Sequence, residues 1–272
     1  MQQKNKFLGL EIYDMHTHIF PEKIADKAVV SIGHFYDLKM TGGGTSSDLI
    51  EAGKKIGISK YLVCSTATTA HQVESINNFI AHEKATHEEF IAYGSLHPDY
   101  ENVEEEIDRM VSMGIQGIKL HPDFQDFNID DPKADKIYRA AENRLPILFH
   151  MGDGRYERTR PTRLLNVMKK FPKLICIGAH LGGYQRWDEA LSLTGYLSNP
   201  NLYIDTCSTL PFIPAEKAVH IIRAHGVDRV FWGTDFPMWK HEEELERFMS
   251  LPLTDDEKEK ILCKNAKDFL KE

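Results

Sequence analysis

Between residues 116 and 180 the chain reads QGIKLHP (116–122), PILFHMGD (146–153) and KLICIGAH (173–180), three short apolar runs each containing a histidine near its end. The runs begin 30 and 27 residues apart, and DKIYRAAEN (135–143) and TRLLNVMKKF (162–171) between them repeat apolar residues at three and four. Such runs fit buried strands, and the three–four period fits amphipathic helices. The unit extends both ways. Further strands begin near Ile12 (IYDMHTH), Lys60 (KYLVCST), Phe90 (FIAYGSLHP), Leu202 (LYIDTCS) and Arg229 (RVFWGTDFP), giving steps of 48, 30, 26, 30, 27, 29 and 27 residues. Eight strands, each followed by a helix at a near-constant step, predict a single (β/α)8 TIM barrel domain over residues 1–272. A doubly wound open sheet is the fold alternative, because alternation alone does not separate it from a closed barrel.

The first step is about twenty residues too long. The excess, FPEKIADKAVVSIGHFYDLKMTGGGTSSD (20–48), is an excursion after strand one that contains Gly42, Gly43 and Gly44. Three adjacent glycines leave the backbone unconstrained, so this stretch reads as a mobile flap or as a plain surface loop.

Length and composition bound the function. The 272 residues carry 33 Lys+Arg and 41 Asp+Glu, a net charge of −8, which disfavours nucleic acid or an anionic membrane as main partner. No apolar run approaches the ~20 residues of a membrane-spanning helix, and the start MQQKNKFLGLEIYD lacks a signal-peptide pattern. Cys64, Cys176, Cys207 and Cys263 stand 112, 31 and 56 residues apart, a spacing for reduced thiols rather than a disulfide framework or thiolate zinc site. A cytoplasmic enzyme is expected. GxGxxG, GxxxxGK[ST] and GxSxG motifs are absent, which removes the usual dinucleotide, phosphate-loop and serine-hydrolase signals.

A barrel places function at the C-terminal ends of its strands. His16 and His18 end strand one, His97 strand three, Lys119 and His121 strand four, His150 strand five, His180 strand six and Asp235 strand eight. Residues two apart on a strand share a face, so His16 and His18 project together into the barrel mouth, close enough for one metal. His150, His180 and Asp235 end other strands and join that constellation. Asp235 in TDFP also fits an Asx-turn cap, but the apolar VFWG before it predicts a buried carboxylate that needs a cation, so a ligand role is preferred. Lys119 and His121 share a face as well: the lysine could hold a substrate anion, bridge two metals once carboxylated, or lay its stem on apolar rungs. His97 reads as a structural strand-end residue. His71, His82, His87, His220, His225 and His241 read as solvated or capping, since none of the His-Glu pairs completes HExxH. The loop GDGRYERTRPTR (152–163) offers guanidinium forks for a carboxylate-bearing substrate, chiefly Arg155. Trp187, Trp239, Phe20 and Phe236 are candidates to line an apolar pocket, and Trp232 to pack between barrel and helices.

The ordered set HTH (16–18), GIKLHP (117–122), FHMG (149–152), AHLGG (179–183) and GTDFP (233–237) resembles the amidohydrolase superfamily. It is most similar to the amidohydrolase-related branch that includes aminocarboxymuconate-semialdehyde decarboxylase, whose closing helix ILCKNAKDFL (261–270) resembles. The resemblance implies a metallo-barrel with His16, His18, His150 and Asp235 as ligands and His180 as a catalytic histidine. Lys119 falls where binuclear relatives carry a bridging carboxylated lysine, and His180 would then serve a second metal. The decarboxylases of the branch do not generally depend on such a lysine.

The leading expectation is a metal-dependent hydrolase of a small amide, ester or lactone, using a metal-activated water. Asp235 would take the proton of that water and pass it to the leaving group, while His180 polarises the carbonyl. One divalent ion is expected, zinc first and manganese second, with two if Lys119 bridges. A non-oxidative decarboxylase of an unsaturated or aromatic acid is the second reading, followed by a metal-independent lactonase and a ligand-binding barrel without catalysis. A homo-oligomer is expected only as the commonest outcome for such enzymes.

Overall fold

The structure is a computed structural model that describes residue 9 and residues 11–272. Eight strands run β1 (Ile12–His18), β2 (Ile58–Cys64), β3 (Phe90–Ser95), β4 (Gly117–Leu120), β5 (Ile147–Phe149), β6 (Cys176–Gly178), β7 (Leu202–Asp205) and β8 (Val230–Phe231). They pair in parallel in sequence order, β1 to β8. The two ends then meet: Met15 N–H donates to Trp232 O (2.9 Å), Asp235 N–H to His16 O (2.8 Å) and His18 N–H to Phe236 O (2.7 Å). An open doubly wound sheet would leave those edges apart, so the barrel replaces that alternative.

Strand periodicity sorts the core into two shells. Ile147 and Phe149 face the helices while Leu148 points inward, and Cys176 and Ile177 divide the same way. Tyr13, Met15, Leu62, Cys64, Ile91, Tyr93, Leu148, Ile177 and Phe231 fill the barrel interior, the branched and aromatic layering that makes such a barrel a packed core. Trp232 is fully buried in the outer shell, as expected. Among the described residues no helix is long and apolar enough to cross a membrane.

The excursion after β1 departs from the expectation of a flap or loop. It folds into α1 (Glu22–Tyr36) and α2 (Ser46–Lys54). Asp37, in the left-handed region at φ 52°, ends α1 and makes Tyr36 its last helical residue, and Thr45 caps α2 with a reciprocal Thr45–Asp48 box. The glycine run is a close-packed crossing. Gly42 N–H donates to Pro237 O (3.0 Å), and a Cβ on Gly42 would lie 2.4 Å from Phe236 Cε2. Gly42→Ala is therefore expected to cost about 1–3 kcal/mol through overpacking. An unchanged denaturant midpoint would show that Phe236 has room to move.

Candidate metal centre and active-site cavity

A bulge in β1 sets the first two histidines. Asp14 pairs with Tyr61 and Thr17 with Val63, so the first strand carries an extra residue across a stretch that includes His16. The His16 and His18 rings end 5.2 Å apart, and both face Asp235 at the start of the β8 loop. Asp235 Oδ1 lies 3.2 Å from His18 Nε2 and 3.6 Å from His16 Nε2. The edges of a tetrahedral zinc site, with bonds of about 2.0–2.1 Å, are about 3.3–3.4 Å. Both carboxylate–imidazole distances are near such an edge, and two imidazoles with a carboxylate are donors whose chemistry fits a divalent metal. Asp235 is mostly buried, with φ 59°, and it does not cap a following helix with its side chain: its Oδ2 accepts from Ser208 Oγ at 2.5 Å.

Electrostatics keep two of the donors, His16 and Asp235, in ligand-ready states, whereas His18 holds a proton that a metal would have to displace. Burial, then the charge of Lys119, brings His16 down to about 4, so its ring is neutral at neutral pH. Burial works against ionising Asp235, but the hydrogen bond from His18 and the charges of the histidines hold it well below the usual carboxylate range. Burial depresses His18 too, yet Cys64 and Asp235 beside it prevail and lift it to about 9. Lys119 is fully buried with Nζ 3.0 Å from His16 Nε2, beside the same donors.

A second row of side chains orients the first. His16 Nδ1 donates to Asp205 Oδ2 (2.8 Å), which leaves Nε2 with a lone pair that accepts from Lys119 Nζ (3.0 Å), 3.6 Å from Asp235 Oδ1. Metal-binding imidazoles are commonly fixed this way. Asp205 Oδ1 accepts from His180 N–H (2.9 Å) and from Cys207 Sγ (2.9 Å). Burial opposes the Asp205 charge, but His16 holds its carboxyl below the ordinary value. Neither Asp205 nor Cys207 was singled out from sequence. Asp205 closes β7 in LYID, so the strand-end rule that found the histidines also reaches it, whereas Cys207 carries no signal beyond its type.

His150 and His180 form a further pair, His150 Nδ1 to His180 Nε2 at 3.0 Å, with His180 held at φ 61° and its Nδ1 3.0 Å from Cys207 O. His150 lines the same cavity as His16, His18 and Asp235, but its hydrogen-bonded neighbours are His180 and Tyr36. His121 stacks on His150 with centroids 3.9 Å apart, and burial pushes both rings well below the usual histidine range.

The cavity above these groups measures about 610 Å³. Its walls are largely apolar: Phe20, Ile24, Phe35 and Met40 come from the excursion, with Phe79 and Phe124 opposite. Of the aromatic residues expected there, Phe20 lines it, while Trp187, Trp239 and Phe236 lie outside its lining. Asp123 also lines it; burial raises its carboxyl to about 6, and its Oδ1 has no hydrogen-bond partner.

Arg155 sits elsewhere than expected. Its guanidinium is engaged by Asp153 (Nη2 to Oδ2 2.6 Å, Nε to Oδ1 2.9 Å), its Nη1 donates to Phe35 O (2.6 Å), and it is absent from the cavity wall. With its fork filled, Arg155 fastens the end of α1 rather than presenting itself to a substrate carboxylate. The solvated reading fails for two histidines. His241 is fully buried 3.1 Å from Asp14 Oδ2, and His225 is buried between Leu197 O and Arg229 O. His97 keeps a structural role, its Nδ1 accepting from Asp99 N–H at 3.1 Å.

No curated protein matches the chain in sequence. Similar solved structures include a 2,6-dihydroxybenzoate decarboxylase from Rhizobium (TM-score 0.74, 17% identity, 96% of this chain and 99% of that one). Another is a 5-carboxyvanillate decarboxylase from Sphingomonas paucimobilis (TM-score 0.73, 16% identity, 96% and 99%). A third is a dihydroxybenzoic acid decarboxylase from a Polaromonas species with bound manganese and 2-nitroresorcinol (TM-score 0.72, 14% identity, 96% and 97%). At these identities the likeness establishes the barrel. The amidohydrolase family model matches residues 13–271, and the chain belongs to the amidohydrolase family.

Proposed function

We propose that this barrel is a metal-dependent enzyme that removes carbon dioxide, without oxidation, from a small aromatic carboxylic acid. The observation that carries this reading is the cavity: a space of about 610 Å³, walled by Phe20, Phe35, Phe79 and Phe124, that opens directly onto His16, His18 and Asp235. Flat apolar walls favour a ring, and the donor set favours the polar end of the same molecule. The decarboxylases among the similar solved structures support the same reading.

His16, His18 and Asp235 would hold the ion, with His150 as the fourth protein donor, and zinc or manganese suits such a set. When bound, the metal supplies a positive charge that fixes substrate oxygens and stabilises charge forming on them. The chain moves the proton. Asp235, held as a carboxylate, takes the proton of a ring hydroxyl at Oδ2 and returns it to the carbon bearing the carboxylate. The carbon–carbon bond then breaks, its electron pair returns to the ring, and carbon dioxide leaves. The product phenolate takes one proton from solvent, so each turnover consumes one. Apolar walls exclude the water that would compete for that proton.

Hydrolysis of a small ester, amide or lactone is the second reading, favoured by Lys119. Its amine lies 3.0 Å from His16 Nε2, where a carboxylated lysine would add a bridging ligand. The four cysteines are free and buried, which supports a reducing, cytoplasmic setting.

Product analysis on the metal-loaded protein separates these readings. Carbon dioxide released with one proton taken up, and no oxygen from labelled water in the product, is the expected result. Label entering a product carboxylate, with no carbon dioxide, would replace decarboxylation by hydrolysis. A protein that takes up neither zinc nor manganese would overturn both metal-dependent readings.

A further inference from the structure

The hydrogen bonds around His121 and His150 have a direction that the two ends of the chain of contacts decide. At one end the backbone N–H of Phe124, whose nearer acceptor is His121 O (2.9 Å), is shared with His121 Nδ1 (3.4 Å). A neutral imidazole that accepts at Nδ1 carries its proton on Nε2, so His121 donates from Nε2 to the Tyr36 oxygen at 2.9 Å. At the other end the carbonyl of Cys207 can only accept, so His180 Nδ1 carries a proton and its Nε2 accepts from His150 Nδ1. His150 is left with a bare Nε2, 3.5 Å from the Tyr36 oxygen. Tyr36 therefore accepts from His121 and has one O–H left to give, toward the cavity that His150, His16, His18 and Asp235 line. That O–H has a long contact as its present acceptor. Once a ligand or metal occupies His150 Nε2, it has no acceptor left among the described side chains.

We propose that Tyr36 is a catalytic hydrogen-bond donor, carried into the site by α1 and aimed by His121 at the substrate oxygen that gains charge in the reaction. The choice of oxygen rests on the function proposed above. In decarboxylation it is the ring oxygen conjugated with the breaking bond, and in hydrolysis it is the carbonyl oxygen. No proton is transferred to or from Tyr36. His121 is a positioning residue, and so is Arg155, whose hydrogen bond to Phe35 O secures the helix one residue before Tyr36. The excursion is thus more than a wall: it delivers the only hydroxyl of α1's last turn to the polar end of the cavity.

Two measurements test this on the full-length, zinc-loaded protein. Tyr36→Phe keeps the ring and removes the donor. Its kcat is expected to fall on the order of a hundredfold, as for loss of one oxyanion donor, with KM and metal content near wild type. Wild-type kcat in this variant overturns the proposal. Nitrogen-15 spectra of the histidine rings provide a readout that needs no substrate. His121 is expected as the Nε2–H tautomer, with its signals displaced in Tyr36→Phe. The Nδ1–H tautomer at His121 overturns the proposal whatever the activity, because Tyr36 would then spend its only proton on His121. If the wild type turns over neither carboxylic acids nor esters, the proposed function fails. The tautomer result still decides whether Tyr36 is aimed as described.

Discussion

Asparagine at position 235 is expected to lower turnover by at least about a hundredfold, the usual scale for loss of a positioned proton carrier, while the barrel stays folded. The variant preserves shape and removes the charge. Asp235 adopts φ 59°, a region asparagine enters readily and alanine does not, so Asp235→Asn isolates chemistry from backbone strain. Its Oδ2 accepts from Ser208, a bond that an asparagine carbonyl retains. What disappears is the carboxylate opposite His18 and His16, which both proposed mechanisms use as proton carrier. Metal content measured beside turnover distinguishes a lost ligand from a lost base. Near-normal turnover would remove Asp235 from the chemistry altogether.

The legible part of this molecule was its repeat and its strand ends. After the first, longer step, a spacing of 26–30 residues and a histidine or carboxylate at every strand end except that of β2 are written locally, the shared faces of each strand following from its period-two alternation. His16, His18 and Asp235 converge because a closed barrel leaves strand ends nowhere else to point. Tyr36 and Phe35 were invisible for the opposite reason. Their place in the cavity depends on how α1 folds back over the barrel, on Gly42 passing against Phe236 and on Arg155 gripping the helix end. Those contacts join residues more than a hundred positions apart, and no local period announces them. Arg155 shows the same limit: a guanidinium reads as an anion site until its carboxylate partner two residues away, Asp153, is seen to fill it. Buried His241 and His225 were misread because a helical face does not reveal which side meets the barrel.

Metal affinity is where the second row of residues becomes measurable. His16→Ala removes a donor outright, and the protein is expected to lose most of its bound ion on desalting, as read by mass spectrometry of metal content. Asp205→Asn is the more informative change, since every proposed donor remains. One oxygen of Asp205 accepts from His16 Nδ1, and the other accepts from His180 N–H and Cys207 Sγ. An amide cannot accept on both sides, so its NH2 must face either His16 or the His180 backbone, and one of those N–H groups loses its partner. The negative charge that favours the His16 tautomer with a bare Nε2 is lost as well. Outer partners of this kind are worth about 10–100-fold in metal affinity, and a loss of that size is expected in competition against a chelating dye. Affinity equal to wild type would mean that β1 packing alone fixes the His16 ring, and that Asp205 serves the backbone of His180 instead.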